Sequence, residues 1–112
     1  MKIIKRDGRA VDYDRTKIKV AIEKANQEVK PKERASKEDI KGIIQYIEEL
    51  GKKRMLVEDI QDIIEEKLME LDKYELAKKY IVYRYTRALV RKANTTDESI
   101  LGLIRNDNKE LA

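Results

Sequence analysis

Apolar and polar residues change period along this chain, and the changes mark its elements. Residues 2–6 (KIIKR) and 9–13 (RAVDY) alternate over short stretches, the period-two pattern of strands. Asp7-Gly8 lies between them. Asp-Gly predicts a two-residue hairpin turn of type I′, which needs positive φ at both positions. That register pairs Arg6 with Arg9, Lys5 with Ala10, Ile4 with Val11 and Ile3 with Asp12. It puts Ile4, Val11 and Tyr13 on one face and Ile3, Lys5, Ala10 and Asp12 on the other. Both faces are mixed, and a lone hairpin is marginal in water, so this one must lie on something.

From there the period lengthens to that of helices. Asp14 is placed to cap a first helix with the apolar stripe Ile18, Ala21, Ile22 and Ala25. Pro31 and its charged neighbours mark a connection. Ser36, with Asp39 three positions on, forms a capping box for a second helix whose stripe is Ile40, Ile43, Ile44, Ile47 and Leu50. Gly51 is its stop. Residues 53–57 (KRMLV) read as a short extended piece and a candidate third strand. A third helix starts near Glu58, with Ile60, Ile63, Ile64, Leu68 and Leu71 inward. A fourth runs from about Lys73 to Ala93 and carries Leu76, Ala77, Tyr80, Ile81, Tyr83 and Ala88. Its basic end suits the helix dipole. The expected fold is α+β and mostly α: a four-helix bundle capped by a small N-terminal β-hairpin, with a three-stranded sheet as the alternative. After Asn94 the apolar pattern thins. Residues 1–93 are read as one domain, and 94–112 as a flexible linker or the start of a further domain.

Composition narrows the chemistry. The 112 residues hold no Cys and no His, so thiol nucleophiles, zinc sites and imidazole acid–base catalysis are excluded. No apolar run approaches a membrane span, which needs about 20 residues, and charges at Lys2, Lys5, Arg6 and Asp7 interrupt any signal peptide. A cytoplasmic location is expected. The net charge of +4, from 26 basic and 22 acidic residues, is too small for a general polyanion binder and allows a local basic site. The excess sits at the front, where residues 1–19 hold seven Lys or Arg against three Asp.

That front carries the main candidate. A hairpin feeding a helix sets Lys5 and Arg6 near the unpaired N–H groups of a helix start, with Lys17 in its first turn. This arrangement suits a phosphate. A solvated basic hairpin explains the same residues equally well. Glu48-Glu49 and Glu65-Glu66 read as solvated helix faces. Arg84, Arg87 and Arg91 fall on one face of the last helix and, with Tyr80, Tyr83 and Tyr85, offer a second anion contact or a nucleic-acid surface. There is no Walker loop and no GxGxxG.

The hairpin Lys5-Arg6-Asp7-Gly8, then Tyr13, Asp14 and Lys17-Ile18, and finally Tyr83, Arg84 and Arg87 arrive in order across some 70 residues. Together they resemble the ATP-cone, the nucleotide-sensing module at the front of many ribonucleotide reductases. The stretch NTTDESILGLI (94–104) resembles the join to the catalytic barrel in anaerobic, class III ribonucleoside-triphosphate reductases. A zinc-ribbon repressor of reductase genes also carries a cone, behind a four-cysteine ribbon that this Cys-free chain lacks. The resemblance implies that Lys5, Arg6 and Lys17 hold phosphates and that Arg87 reaches them from the other side. It implies that Ile3 and Ile18 touch adenine or ribose, that Tyr83 walls the pocket, and that Asp14 contacts the nucleotide while capping. Val57 and Gln61 stand where some relatives carry polar or imidazole groups near the sugar and phosphates, which leaves one or two nucleotides open. It further implies ATP as activator, dATP as inhibitor, magnesium with the phosphates, the catalytic domain of the same reductase as partner, a nucleotide-dependent oligomer, and no catalysis by these residues themselves. The alternatives are the cone of a transcriptional repressor of reductase genes and a small basic helical module for nucleic acid.

Overall fold

The computed structural model describes the backbone of residues 1–103 and side chains through residue 90. Two antiparallel strands, β1 (Lys2–Ile4) and β2 (Ala10–Asp12), are followed by α1 (Arg15–Asn26). A single 3-10 turn over Pro31–Glu33 leads to α2 (Lys37–Glu49). A third strand, β3 (Arg54–Leu56), runs straight into α3 (Val57–Glu70), and α4 (Tyr74–Leu103) closes the order. The candidate strand at 53–57 is therefore a strand. It pairs parallel with β1, giving a three-stranded mixed sheet in the order β2-β1-β3. The chain divides into two units, one of Met1–Ile81 and one starting at Val82.

The hairpin turns differently from the expectation. Lys2 pairs with Asp12, Ile3 with Val11 and Ile4 with Ala10, one residue out of the predicted register. The N–H of Gly8 donates to the carbonyl of Lys5 at 2.9 Å, and the N–H of Lys5 to that of Arg9 at 2.8 Å. Arg6, Asp7 and Gly8 thus form a three-residue loop in which Gly8, at φ +89°, alone takes positive φ. This is the turn-plus-bulge solution rather than type I′. Asp7 stabilises it by accepting from the Arg9 N–H at 3.0 Å and the Arg9 guanidinium at 2.8 Å. A slip of one residue exchanges faces. Ile3 now shares the inner face with Val11, while Ile4 joins Ala10 on the outer one. Across the sheet the inward row is Val11, Ile3 and Met55, and Ile3 and Met55 are buried.

The sheet lies on the helices through that row. One cluster joins Ile3 and Met55 to Ile18, Ile22 and Ala25 of α1, Ile40, Ile43, Ile44 and Ile47 of α2, Ile60, Ile64 and Leu68 of α3, and Leu76, Ala77 and Tyr80 at the start of α4. These are largely the predicted stripes. Three predicted inward residues are exposed instead: Leu50, Leu71 and Ile81. Leu50 and Leu71 are C-caps, where the backbone leaves the helix and takes the side chain off the stripe. Ile81 lies on the open side of α4.

The ends of the helices are specified locally. Asp14 accepts from the Thr16 N–H at 2.9 Å and caps α1. Ser36 and Asp39 complete both halves of their capping box at 3.0 Å each. Gly51, at φ +65°, follows α2 as the stop signal required. Asp72 turns the chain between α3 and α4 at φ +60°, a conformation that Asp tolerates better than most residues. The last helix runs to Leu103, beyond the end expected near Ala93. Residues 104–112 lie outside the described part. Among the described residues no helix is long and apolar enough to cross a membrane.

Candidate nucleotide-binding site

Sheet topology decides which candidate residues meet. β1 and β3 run the same way, so α3 begins at the end of the sheet where the hairpin turns. The turn therefore overhangs the first turns of α3. Arg6 Nη1 donates to Glu58 Oε2 at 2.7 Å, and Arg6 Nη2 to Gln61 Oε1 at 3.5 Å. Two residues chosen from opposite parts of the sequence, Arg6 and Gln61, are thus brought together. Val57 sits between them in the chain order, one step past the Ile4–Leu56 pair, and packs on the rim of the core. Lys5 follows Ile3 on the inner face and is half-buried.

β2 descends from the turn, so α1 starts at the opposite end of the sheet. Asp14 and Lys17 lie there, both exposed, with Asp14 engaged as the cap. Ile18, one residue on, is buried in the same cluster as Ile3. Both isoleucines are core side chains in this structure. Tyr83 is half-buried and Arg87 exposed; both lie on α4 within the second unit. Of the tyrosines on that helix Tyr80 is buried and Tyr85 is exposed. Arg91 lies outside the described side chains.

The start of α1 is clasped to the end of α2. The Tyr13 hydroxyl donates to Glu48 Oε2 at 2.7 Å, and Arg15 Nε donates to the same oxygen at 2.9 Å. Arg15 Nη2 also meets Glu48 Oε1. The Arg15 guanidinium, helped by the Tyr13 hydroxyl, holds the Glu48 carboxyl below the usual carboxylate range. Burial, and then the carboxylate beside it, push the Tyr13 hydroxyl well above its ordinary value. Glu48 is thus no solvated helix face, contrary to the sequence reading. Its partners are 33 and 35 residues away, and nothing local announces them. Glu58 was also missed. Its signal was the parallel pairing of β3 with β1, which extends the turn onto α3.

A groove of about 770 Å³ runs between α1 and α2, with Ile40 and Ile44 at its floor and Lys19, Lys41, Glu23 and Glu49 on its flanks. It contains none of the residues assigned to a nucleotide, and its charges are mixed. Lys5 and Arg6 at the turn and Lys17 at the start of α1 stand at opposite ends of the sheet, not together as the sequence led us to expect. Among the described residues no group of three or more Asp or Glu is gathered to hold a metal by itself.

The family described as the ATP cone domain matches residues 1–89. The chain is similar to the ribonucleoside-diphosphate reductase subunit alpha of Chlamydia trachomatis, with 33% identity over 88% of this chain and 10% of that protein. It is similar to the vitamin B12-dependent ribonucleoside-diphosphate reductase of Mycobacterium tuberculosis, with 35% identity over 91% of this chain and 14% of that one. The namesake from Thermoplasma acidophilum is 35% identical over 80% of this chain and 12% of its own length. The chain spans about a tenth of the length of the curated relatives it matches.

Proposed function

The chain belongs to the ATP cone domain family, and on that premise we propose that it is the adenine-nucleotide-sensing module of a ribonucleotide reductase, ATP raising and dATP lowering the activity of the attached enzyme. Catalysis is assigned to the remainder of that enzyme, in the cytoplasm. Residues 1–93 form the module and 94–112 lead toward the catalytic domain. The narrower reading, an anaerobic triphosphate reductase, draws its support from residues 94–104 alone, whereas the matched relatives carry the diphosphate name. Ribonucleotide reductase without a stated class is therefore the parent proposed.

The observation that carries the reading is the placement of the Lys5-Arg6-Asp7-Gly8 turn. It overhangs α3 with its guanidinium aimed at Glu58 and Gln61, on a sheet whose other end starts α1 at Asp14 and Lys17. Three residues of strand separate the two ends, about 10 Å. One extended nucleoside triphosphate spans that distance. Lys5, Arg6 and Lys17 would meet the phosphates, and Ile3, Ile18 and Val57 would meet base and sugar. Asp14 and Gln61 supply polar contacts. Tyr83 and Arg87 are further candidate contacts by resemblance alone, each to be tested by its own alanine variant. Magnesium would come with the phosphates, whose oxygens are its ordinary ligands.

ATP and dATP differ by one hydroxyl, and one neutral hydrogen bond is worth about 0.5–1.5 kcal/mol. Direct contacts thus give selectivity of a few-fold to about ten-fold. A strong on–off response requires the two ligands to favour different states of a bistable element, for which a nucleotide-dependent oligomer interface is the proposed seat. Calorimetric titration with dATP, ATP and GTP tests the reading. Both adenine nucleotides should bind and GTP should bind more weakly. Lys17→Ala should lose roughly ten-fold or more in affinity, as expected for a charge-assisted contact. Full dATP affinity in that variant would refute the phosphate assignment. Equal affinity for GTP, or binding of duplex DNA with a steep salt dependence, would favour the nucleic-acid module instead.

A further inference from the structure

We propose that Glu58 is an internal competitor for the nucleotide: its carboxylate occupies Arg6 until a phosphate displaces it, and so sets the strength with which this site holds phosphate. The proposal rests on the reading of the turn as a phosphate site. Its observation is separate: the guanidinium assigned to phosphate is already bonded to a carboxylate, at 2.7 Å. Charge-assisted contacts of this length are what a phosphate oxygen would make with the same Nη1.

The exchange is inexpensive on the protein side. Arg6 and Glu58 are 40% and 50% exposed, so the pair is screened and its breakage leaves no buried charge. Glu58 lies in the first turn of α3, where a carboxylate is favoured by the helix dipole with or without Arg6. Gln61 is neutral and touches the other terminal nitrogen, Nη2. It keeps the guanidinium oriented while Nη1 changes partner. Once displaced, Glu58 stands beside the incoming phosphates and repels them. Both effects act in one direction: they weaken phosphate binding without touching the adenosine part of the ligand. The apparent dissociation constant is the intrinsic one divided by the fraction of molecules with Arg6 unoccupied.

The test is a double-variant cycle on the full chain, read by calorimetry. The variants are Glu58→Gln, Arg6→Gln and both together, with thermal melting to confirm folding. Glu58→Gln should tighten dATP by roughly two- to five-fold, the range that an exposed ion pair supports. The gain should shrink as salt is raised. It should vanish in the Arg6→Gln background, because the competition needs Arg6. Adenosine should show the same affinity, or the same lack of it, in wild type and Glu58→Gln. Unchanged or weaker dATP binding in Glu58→Gln overturns the proposal, weakening being the mark of a carboxylate that helps to hold magnesium. An equal gain in the Arg6→Gln background, or for adenosine, overturns it as well. A wild-type chain that binds no dATP overturns both this proposal and the function it rests on, whereas normal wild-type binding with no effect at residue 58 overturns this one alone.

Discussion

Glu48 gives the clearest single-residue consequence for stability. Hydrogen bonds from Arg15 and then Tyr13 favour its charged form, so its folded-state pKa is lowered. A lowered carboxylate contributes stability that is fully present above the unfolded value and is lost as pH falls through the folded one. Glu48→Gln should therefore flatten the decline of the urea midpoint as pH falls below the ordinary glutamate value. At neutral pH the same substitution should cost about 1 kcal/mol or less, since Arg15 is largely exposed. An acid limb as steep as that of wild type would show that the clasp contributes nothing to folding. At this scale the sequence was only partly legible. Asp14, Ser36 and Gly51 act over two to four residues, and each does what its type and position predict. Glu48 and Glu58 act through partners dozens of residues away. An acidic residue on a helix looks the same in sequence whether it faces water or an arginine.

Elements were legible where one interaction dominated. Helix stripes follow from burial of isoleucine and leucine at helical spacing, and α2 shows this with Ile40, Ile43, Ile44 and Ile47 all buried. Its start depends on Ser36 and Asp39, so Ser36→Ala should destabilise the chain by about 1 kcal/mol. That loss would appear as a lower denaturation midpoint with the slope unchanged. A midpoint equal to wild type would mean that packing alone sets this helix end. The hairpin was less legible. Both the two-residue and the three-residue loop put Gly8 at positive φ, and Asp-Gly satisfies either. The choice fell to the core, which takes Ile3 together with Val11 and Met55 and leaves Ile4 outward. Stripes also overran helix ends at Leu50 and Leu71, because periodicity continues in the sequence after the backbone has left the helix.

On the scale of the whole molecule, the proposed site borrows Ile3 and Ile18 from the core cluster, whereas its charged residues lie outside it. Leu68 is fully buried in the cluster that joins the sheet to the helices. Leu68→Ala should cost roughly 2–5 kcal/mol by leaving a cavity. The increment that dATP adds to stability should nevertheless match the wild-type increment, since it depends on ligand concentration and affinity alone. A lost increment in a variant still folded would show that packing at Leu68 reaches the nucleotide. Lys5, Arg6 and Lys17 form a candidate group by nearness in the sequence, yet the sheet sets Lys17 at the far end from the turn. The closure of the turn against α3 was hidden, because it depends on where β3 pairs. That pairing has a further consequence. The strand that leaves the ribosome first is the middle one of its sheet, and its parallel neighbour is synthesised some fifty residues later. A nascent chain must hold one edge of β1 open through the birth of two helices, so the emergence of residues 54–56 is the event that times the assembly of everything built on the turn.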